Sequence, residues 1–358
     1  MDREKKWFAI ALAIMLLAIG LNGAFSYLVD PYGLFRTSFR YQFVEPNKNF
    51  IKARYVTEHP DRYDCFIFGS SRINAIDVRK IKDYRCYNMT YNGGLPRDHL
   101  DNLKYMLKKG VKVRMVLVGL DDFDFRDDPA NHLVQPLRHP YPPVVNQHVL
   151  PFYLKYLFSL HDRDIVREVM KGYLAVMRGE PGTLISYDMF DTGQMFYPKV
   201  DRAIDTDPEA HRNEPGFKSR GIASGDHMKG AIEDLRSLAE TARLHGIRLI
   251  LFINPLYKTA FVDSGLEEFD HFKRELSGIT DFYDFSGINS VTSDALNYYE
   301  ASHYRPLVGD MILARILGHG EVQVLPDFGA LVTPRNLDEH LRTLRLQVPK
   351  ELIAVTPR

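Results

Sequence analysis

An unbroken apolar run, WFAIALAIMLLAIGLNGAFSYLV, extends from Trp7 to Val29, with no charged side chain before Asp30. At about 1.5 Å per helical residue it spans roughly the 30 Å hydrocarbon layer of a bilayer. A cleaved leader has a shorter apolar centre and a small-residue cleavage site. Here the run continues through bulky Phe25, Tyr27 and Leu28. The pattern predicts a transmembrane anchor at 7–29. Lys5 and Lys6 ahead of it predict a short cytoplasmic end at 1–6 and an exported body.

After a turn-rich lead at 30–60, apolar runs alternate with amphipathic stretches. Strands are predicted at 65–69 and 86–89, and a short helix between them at 72–82, with Ile73, Ile76 and Ile81 near one face. RDHLDNLKYMLKKG (97–110) reads as a helix ended by Gly110. VRMVLVGL (113–120) is apolar throughout, the mark of a central strand buried on both faces. From about 122 to 226 the rhythm breaks into Pro- and His-rich sequence with one helical region near 151–177, which reads as an inserted lid or cap. It then resumes with a helix at 227–246, a strand at 247–255, a helix at 267–278, a short strand at 281–287, and a loop entering a last helix within 297–317. The expected fold is α/β, a three-layer sandwich around a mostly parallel, flavodoxin-like sheet. Its domain covers 61–320, and the tail at 321–358 has no clear period.

Composition narrows the function. Lys+Arg and Asp+Glu are both 46, giving a formal net charge of +0, and no basic stripe suggests a nucleic-acid partner. The two cysteines, Cys65 and Cys86, are too few for a metal site or a disulfide framework. Both begin apolar strands and read as small buried hydrophobes; export would permit a bridge, but nothing in the sequence fixes their separation.

In parallel sheets, sites collect at the carboxyl ends of strands. There the chain places Gly69-Ser70-Ser71, the loop Asn88-Met89-Thr90-Tyr91-Asn92-Gly93-Gly94, and Gly119-Leu120-Asp121-Asp122; near the end of the domain lies Tyr299-Glu300-Ala301-Ser302-His303. A serine hydroxyl becomes a nucleophile when a base takes its proton. His303 is the candidate base, and Glu300 the group that would accept the other imidazole N–H and fix the tautomer. Ser71 is preferred over Ser70 as nucleophile. Its own N–H and that of Gly93 are candidate oxyanion donors, joined by the side-chain amide of Asn92 or Asn88. Arg72 and Asp121 are candidate substrate contacts. Asp121, Asp122 and Asp124 lack the spacing of a calcium loop, and the histidines from His132 to His161 lack zinc spacing. The chemistry calls for neither metal nor organic cofactor.

These motifs resemble the SGNH (GDSL-like) hydrolase superfamily over about residues 60–125 and 227–320. The resemblance implies that Ser71 is the nucleophile, Gly93 the second-loop glycine, and Glu300 and His303 the closing acid and base. It also places Asp121 where an asparagine is expected, and an ionised carboxylate cannot donate a hydrogen bond. Ser70 stands at a position that is usually acidic, a variant associated with membrane-anchored members. The layout is similar to alginate O-acetylation and teichoic-acid D-alanylation proteins. That likeness implies acyl transfer on cell-envelope polysaccharide in the periplasm, beside a multispanning membrane acyltransferase. Two other expectations are a polysaccharide esterase using the same residues and a silent glycan-binding scaffold, the latter favoured by Asp121.

Overall fold

The computed structural model describes residues 3–36, 42–180, 185–318 and 322–355. Parts of the predicted cytoplasmic end (1–2), lead (37–41), insertion (181–184) and tail (319–321, 356–358) lie outside the described residues. The first helix, α1 (Arg3–Leu28), is long and apolar enough to cross a membrane, a property it shares with signal sequences. Its side chains project outward, Trp7 at 64% and Leu17 at 62% exposure, so it is not a core helix.

The lead holds a helix, α2 (Lys48–Glu58), capped by Asn47. Strand β1 (Cys65–Phe68) follows, then β2 (Cys86–Asn88), α3 (Pro96–Lys108) and β3 (Met115–Leu120). The insertion carries α4 (Val149–Phe158), α5 (Arg163–Met177), a hairpin of β4 (Ser186–Asp188) and β5 (Gln194–Phe196), and the short helices α6 (Pro198–Thr206) and α7 (Pro208–Arg212). Helix α8 (Met228–Leu244) returns the chain to the sheet at β6 (Arg248–Ile253). Then come α9 (Lys258–Asp263), α10 (Leu266–Ser277), β7 (Phe282–Asp284), a hairpin of β8 (Tyr298–Glu300) and β9 (His303–Tyr304), and α11 (Pro306–Leu317). The chain closes with β10 (Ala330–Val332), α12 (Leu337–Leu346) and α13 (Lys350–Val355).

Six strands form one sheet in the order β10-β7-β6-β3-β1-β2. All neighbours run parallel except β10, which is antiparallel to β7. Side chains alternate between two apolar clusters. Phe66, Phe68, Val116, Val118 and Leu251 enter one, with residues of α3, α8, α10 and α12. Cys65, Ile67, Met115, Leu117 and Phe252 enter the other, with residues of α11. Burial on both sides explains why β1 and β3 read as unbroken apolar runs.

Four local expectations need correction. The helix predicted at 72–82 is two 3₁₀ turns, Ser71–Ala75 and Val78–Lys80, because Ile76 is extended and Asp77 caps a new turn by accepting from Arg79 N–H. The helical region near 151–177 is two helices, since Asp162 caps α5 and restarts the chain. The stretch beyond 320, without a period in sequence, supplies β10 to the sheet edge. Cys65 and Cys86 are bonded to each other. They are register partners on neighbouring strands with Cα atoms 4.3 Å apart, and that proximity comes from strand pairing, not sequence spacing.

Candidate active site

Strand β1 ends in Gly69, whose φ is +143°; a Cβ there would lie 1.9 Å from Ile73 Cδ1 and 2.9 Å from Gly119 O. Only glycine fits, and the chain turns sharply into Ser70 and Ser71. Ser70 is buried. Its side chain accepts from Arg72 N–H at 3.1 Å, and its hydroxyl donates to Asp121 Oδ2 at 2.6 Å. Ser71 points the other way, and its Oγ lies 2.9 Å from His303 Nε2.

The partner histidine comes from the β8–β9 hairpin, where Glu300 and His303 are register partners. Facing positions on paired strands bring side chains together. Glu300 Oε1 sits 2.5 Å from His303 Nδ1 and also accepts from Ser302 Oγ at 2.7 Å. Burial opposes ionisation of Glu300, but the hydrogen bond and charge of His303 and the bond from Ser302 outweigh it, lowering the pKa to about 2. An ionised carboxylate accepts only, so Nδ1 carries the proton and Nε2 is left to accept from Ser71. The three groups form a continuous acid–imidazole–hydroxyl chain.

The second loop lies alongside. Ser70 and Tyr91 form a parallel bridge, and Gly93 adopts φ +62°, a backbone shape suited to glycine. Its N–H makes no hydrogen bond among the described residues. It is therefore a candidate oxyanion donor.

Other predicted contacts are hydrogen-bonded within the protein. Asn92 donates its amide to Glu45 Oε2 at 2.5 Å; Asn88 turns its Oδ1 to Thr90 N–H at 3.0 Å, and its buried Nδ2 has no partner among the described residues. Arg72 Nη1 donates to Asp121 at 3.1 Å and to Asp122 at 2.5 Å, with its guanidinium 4.9 Å from the Phe123 ring centre. Burial works against its charge, but the two carboxylates raise its pKa, so its positive charge is already matched. Asp121 is 1% exposed and also accepts from Asn254 Nδ2 at 3.0 Å. It braces the turn behind Ser71 through Ser70 and Arg72. Asp124, beneath it, is raised by burial and by the Asp121 charge. Among the described residues no group of His, Cys, Asp and Glu is arranged to hold a metal ion.

Several supporting residues lie outside the motifs read from sequence. Lys52 is fully buried and donates to Thr90 O at 2.6 Å, bracing the second loop; burial pushes its pKa well down. Glu45 pairs with Lys48 at 2.7 Å and is close enough to His303 to feel its charge. The i, i+3 spacing of Glu45 and Lys48 and the serine between Glu300 and His303 are the sequence signals that could have marked them.

The insertion supplies a wall. Asn74 Nδ2 donates to Met195 O at 2.8 Å, Met195 N–H returns to Asn74 Oδ1 at 3.2 Å, and Gln194 Nε2 reaches Ile76 O at 2.9 Å. Strand β5 is thereby fastened to the turn that carries Ser71. Beside Ser71 and His303 lies a cavity of about 130 Å³, where Met195, Phe196, Tyr197, Tyr299 and Pro306 share the lining with Arg72, Asp77, Lys80, Asp201 and Asp310. A space near this size holds a single small ring, so it fits a short acyl group or part of one sugar. No protein-family model and no curated protein matches this chain.

Proposed function

We propose that this protein is a membrane-anchored, extracytoplasmic serine acyltransferase that modifies cell-envelope polysaccharide. The observation carrying the proposal is the chain Ser71 Oγ–His303 Nε2, 2.9 Å, and His303 Nδ1–Glu300 Oε1, 2.5 Å. Ser71 Oγ attacks an acyl carbonyl while His303 takes its proton, and Gly93 N–H steadies the developing oxyanion. Collapse expels the donor's alcohol or thiol, which leaves with the proton from His303. A sugar hydroxyl then gives its proton to His303 and attacks the acyl-serine, and the product ester departs as Ser71 regains its hydrogen. The step needs no metal or cofactor.

Support for the architecture comes from the strand order β2-β1-β3-β6-β7 and from an apolar cluster on each side of the sheet, which fit a flavodoxin-like three-layer arrangement. Support for the location comes from α1, the basic residues before it and the Cys65–Cys86 bond, which suits an oxidising compartment. A multispanning acyltransferase supplying acyl groups across the membrane is the proposed partner.

The test uses purified full-length protein and an activated acetyl ester, with and without an acceptor glycan. Ester turnover that Ser71→Ala abolishes, with acetyl diverted to glycan, is expected. Turnover to free acetate that no acceptor diverts makes the protein an esterase. Turnover unchanged in Ser71→Ala ends the catalytic reading and leaves the scaffold.

A further inference from the structure

We propose that helix α4 seats the protein body on the lipid surface from which α1 emerges, with its outer apolar stripe at the headgroup–acyl boundary. The proposal rests on reading α1 as a membrane span. Asn22 Nδ2 donates to Leu157 O and to Ser159 O, each at 3.1 Å, and Ser26 Oγ lies 2.8 Å from His161 Nε2. At Gly23 a Cβ would already touch Phe158 Cε1 at 3.6 Å. These contacts fix the C-terminal end of α4 to residues 22–26 of α1.

The length of α1 then sets the depth. Counting from Trp7, the first residue after the lysines, about 20 residues fill the hydrocarbon layer, and the count ends near Ser26. The α4 contacts therefore lie where α1 leaves the hydrocarbon. One side of α4 is occupied by the protein, with Tyr156 buried and the Phe152 ring 5.2 Å from that of Phe50. The other side is bare. Leu150, Leu154 and Phe158 follow each other every four residues at 64%, 47% and 56% exposure, and Leu160 beyond them is 90% exposed. Residues one helical turn apart form one stripe. The helix has no acidic side chain and one basic one, Lys155, which suits an anionic headgroup layer. An apolar stripe at this depth, beside a single lysine, fits lipid as its occupant.

The test labels single cysteines, which is clean because the two native cysteines are bonded to each other and none is free. Leu150→Cys, Leu154→Cys and Phe158→Cys are compared in the full chain in lipid nanodiscs with Ile14→Cys, mid-way along α1, and Lys229→Cys, 92% exposed on α8. Each carries an environment-sensitive fluorophore and is challenged with lipids bearing a nitroxide near the headgroup, with mid-chain nitroxide lipids, and with aqueous iodide. Because the positions are outward-facing, three separate replacements guard against one that misfolds. Expected is shallow-nitroxide quenching at 150, 154 and 158 at least about two-fold above that at 229, with mid-chain quenching at 14. Iodide quenching at the α4 sites with lipid quenching at 14 overturns the seat and leaves the anchor. Shielding of the α4 sites from lipid and iodide alike means a protein covers them and overturns it too. An unquenched position 14 removes the anchor and the seat together.

Discussion

Ser70 and Ser71 are neighbours in the chain, yet their hydroxyls serve opposite ends of the site: Ser70 donates to Asp121 at 2.6 Å, and Ser71 meets His303 at 2.9 Å. A fluorophosphonate probe should therefore label wild type and Ser70→Ala but not Ser71→Ala, read by mass spectrometry of the modified peptide. Ser70→Ala should also lose about 1–3 kcal/mol of stability, because buried Asp121 loses a donor. Labelling that survives in Ser71→Ala and disappears in Ser70→Ala would reverse the assignment.

Glu300 holds the imidazole through its Nδ1–H. Glu300→Gln keeps the size but permits the wrong tautomer, so acylation should slow by on the order of 10²–10⁴-fold in single-turnover measurements, with little change in substrate affinity. The carboxylate's pKa is depressed to about 2 from 4.5, so its contribution to stability is complete above the higher value and is lost as pH falls through the lower. The gap in thermal midpoint between wild type and Glu300→Gln should stay level above pH 4.5 and narrow below it. A gap that widens in acid would contradict the assigned charge.

Asp121 tests the contrast with the SGNH pattern. If it braces the turn, Asp121→Asn should weaken the protein by about 1–3 kcal/mol, since half-buried Arg72 loses one of its two carboxylates, and should not speed ester turnover. Denaturant midpoints and turnover measured together decide it. Faster turnover with unchanged stability would mean that position 121 faces the reacting carbonyl.

The sequence points to Ser71, Glu300 and His303 because each lies at a strand end or in a short motif, and such signals are local. Strand β3 and helix α8 are legible for the same reason, one from an unbroken apolar run and the other from helical spacing. The partners of Arg72, Asp121 and Asn92 are not legible in the sequence, because they lie far along the chain or across a loop. Asn254 reaches Asp121 from 133 positions away, and Glu45 reaches Asn92 from 47. Strand β10 is three residues long and pairs only at the sheet edge, too little for a period to register.

His99 lies beneath the second loop, fully buried, and neither ring nitrogen has a partner among the described residues. Burial lowers its pKa from 6.5 to about 4, with the Asp98 charge opposing. The unfolded chain binds this proton first, so stability should fall as pH drops from 6.5 towards 4, by up to roughly 1.4 kcal/mol per pH unit. Denaturant melts of wild type and His99→Phe across that range check it; the variant should lack this part of the acid loss. Equal slopes would place the pH sensitivity elsewhere.

The Cys65–Cys86 bond joins positions 21 apart, both ahead of the insertion. His303 follows Ser71 by 232 positions. If the body is exported as proposed, the bond needs only the first quarter of the chain, so the root of the Ser71 turn is stapled before His303 has been threaded across. Maturation would then have a built-in order, with a covalent foundation first and the histidine last. Synthesis in a reducing cytosol would remove that first stage and leave the opening strands to find each other by contact alone.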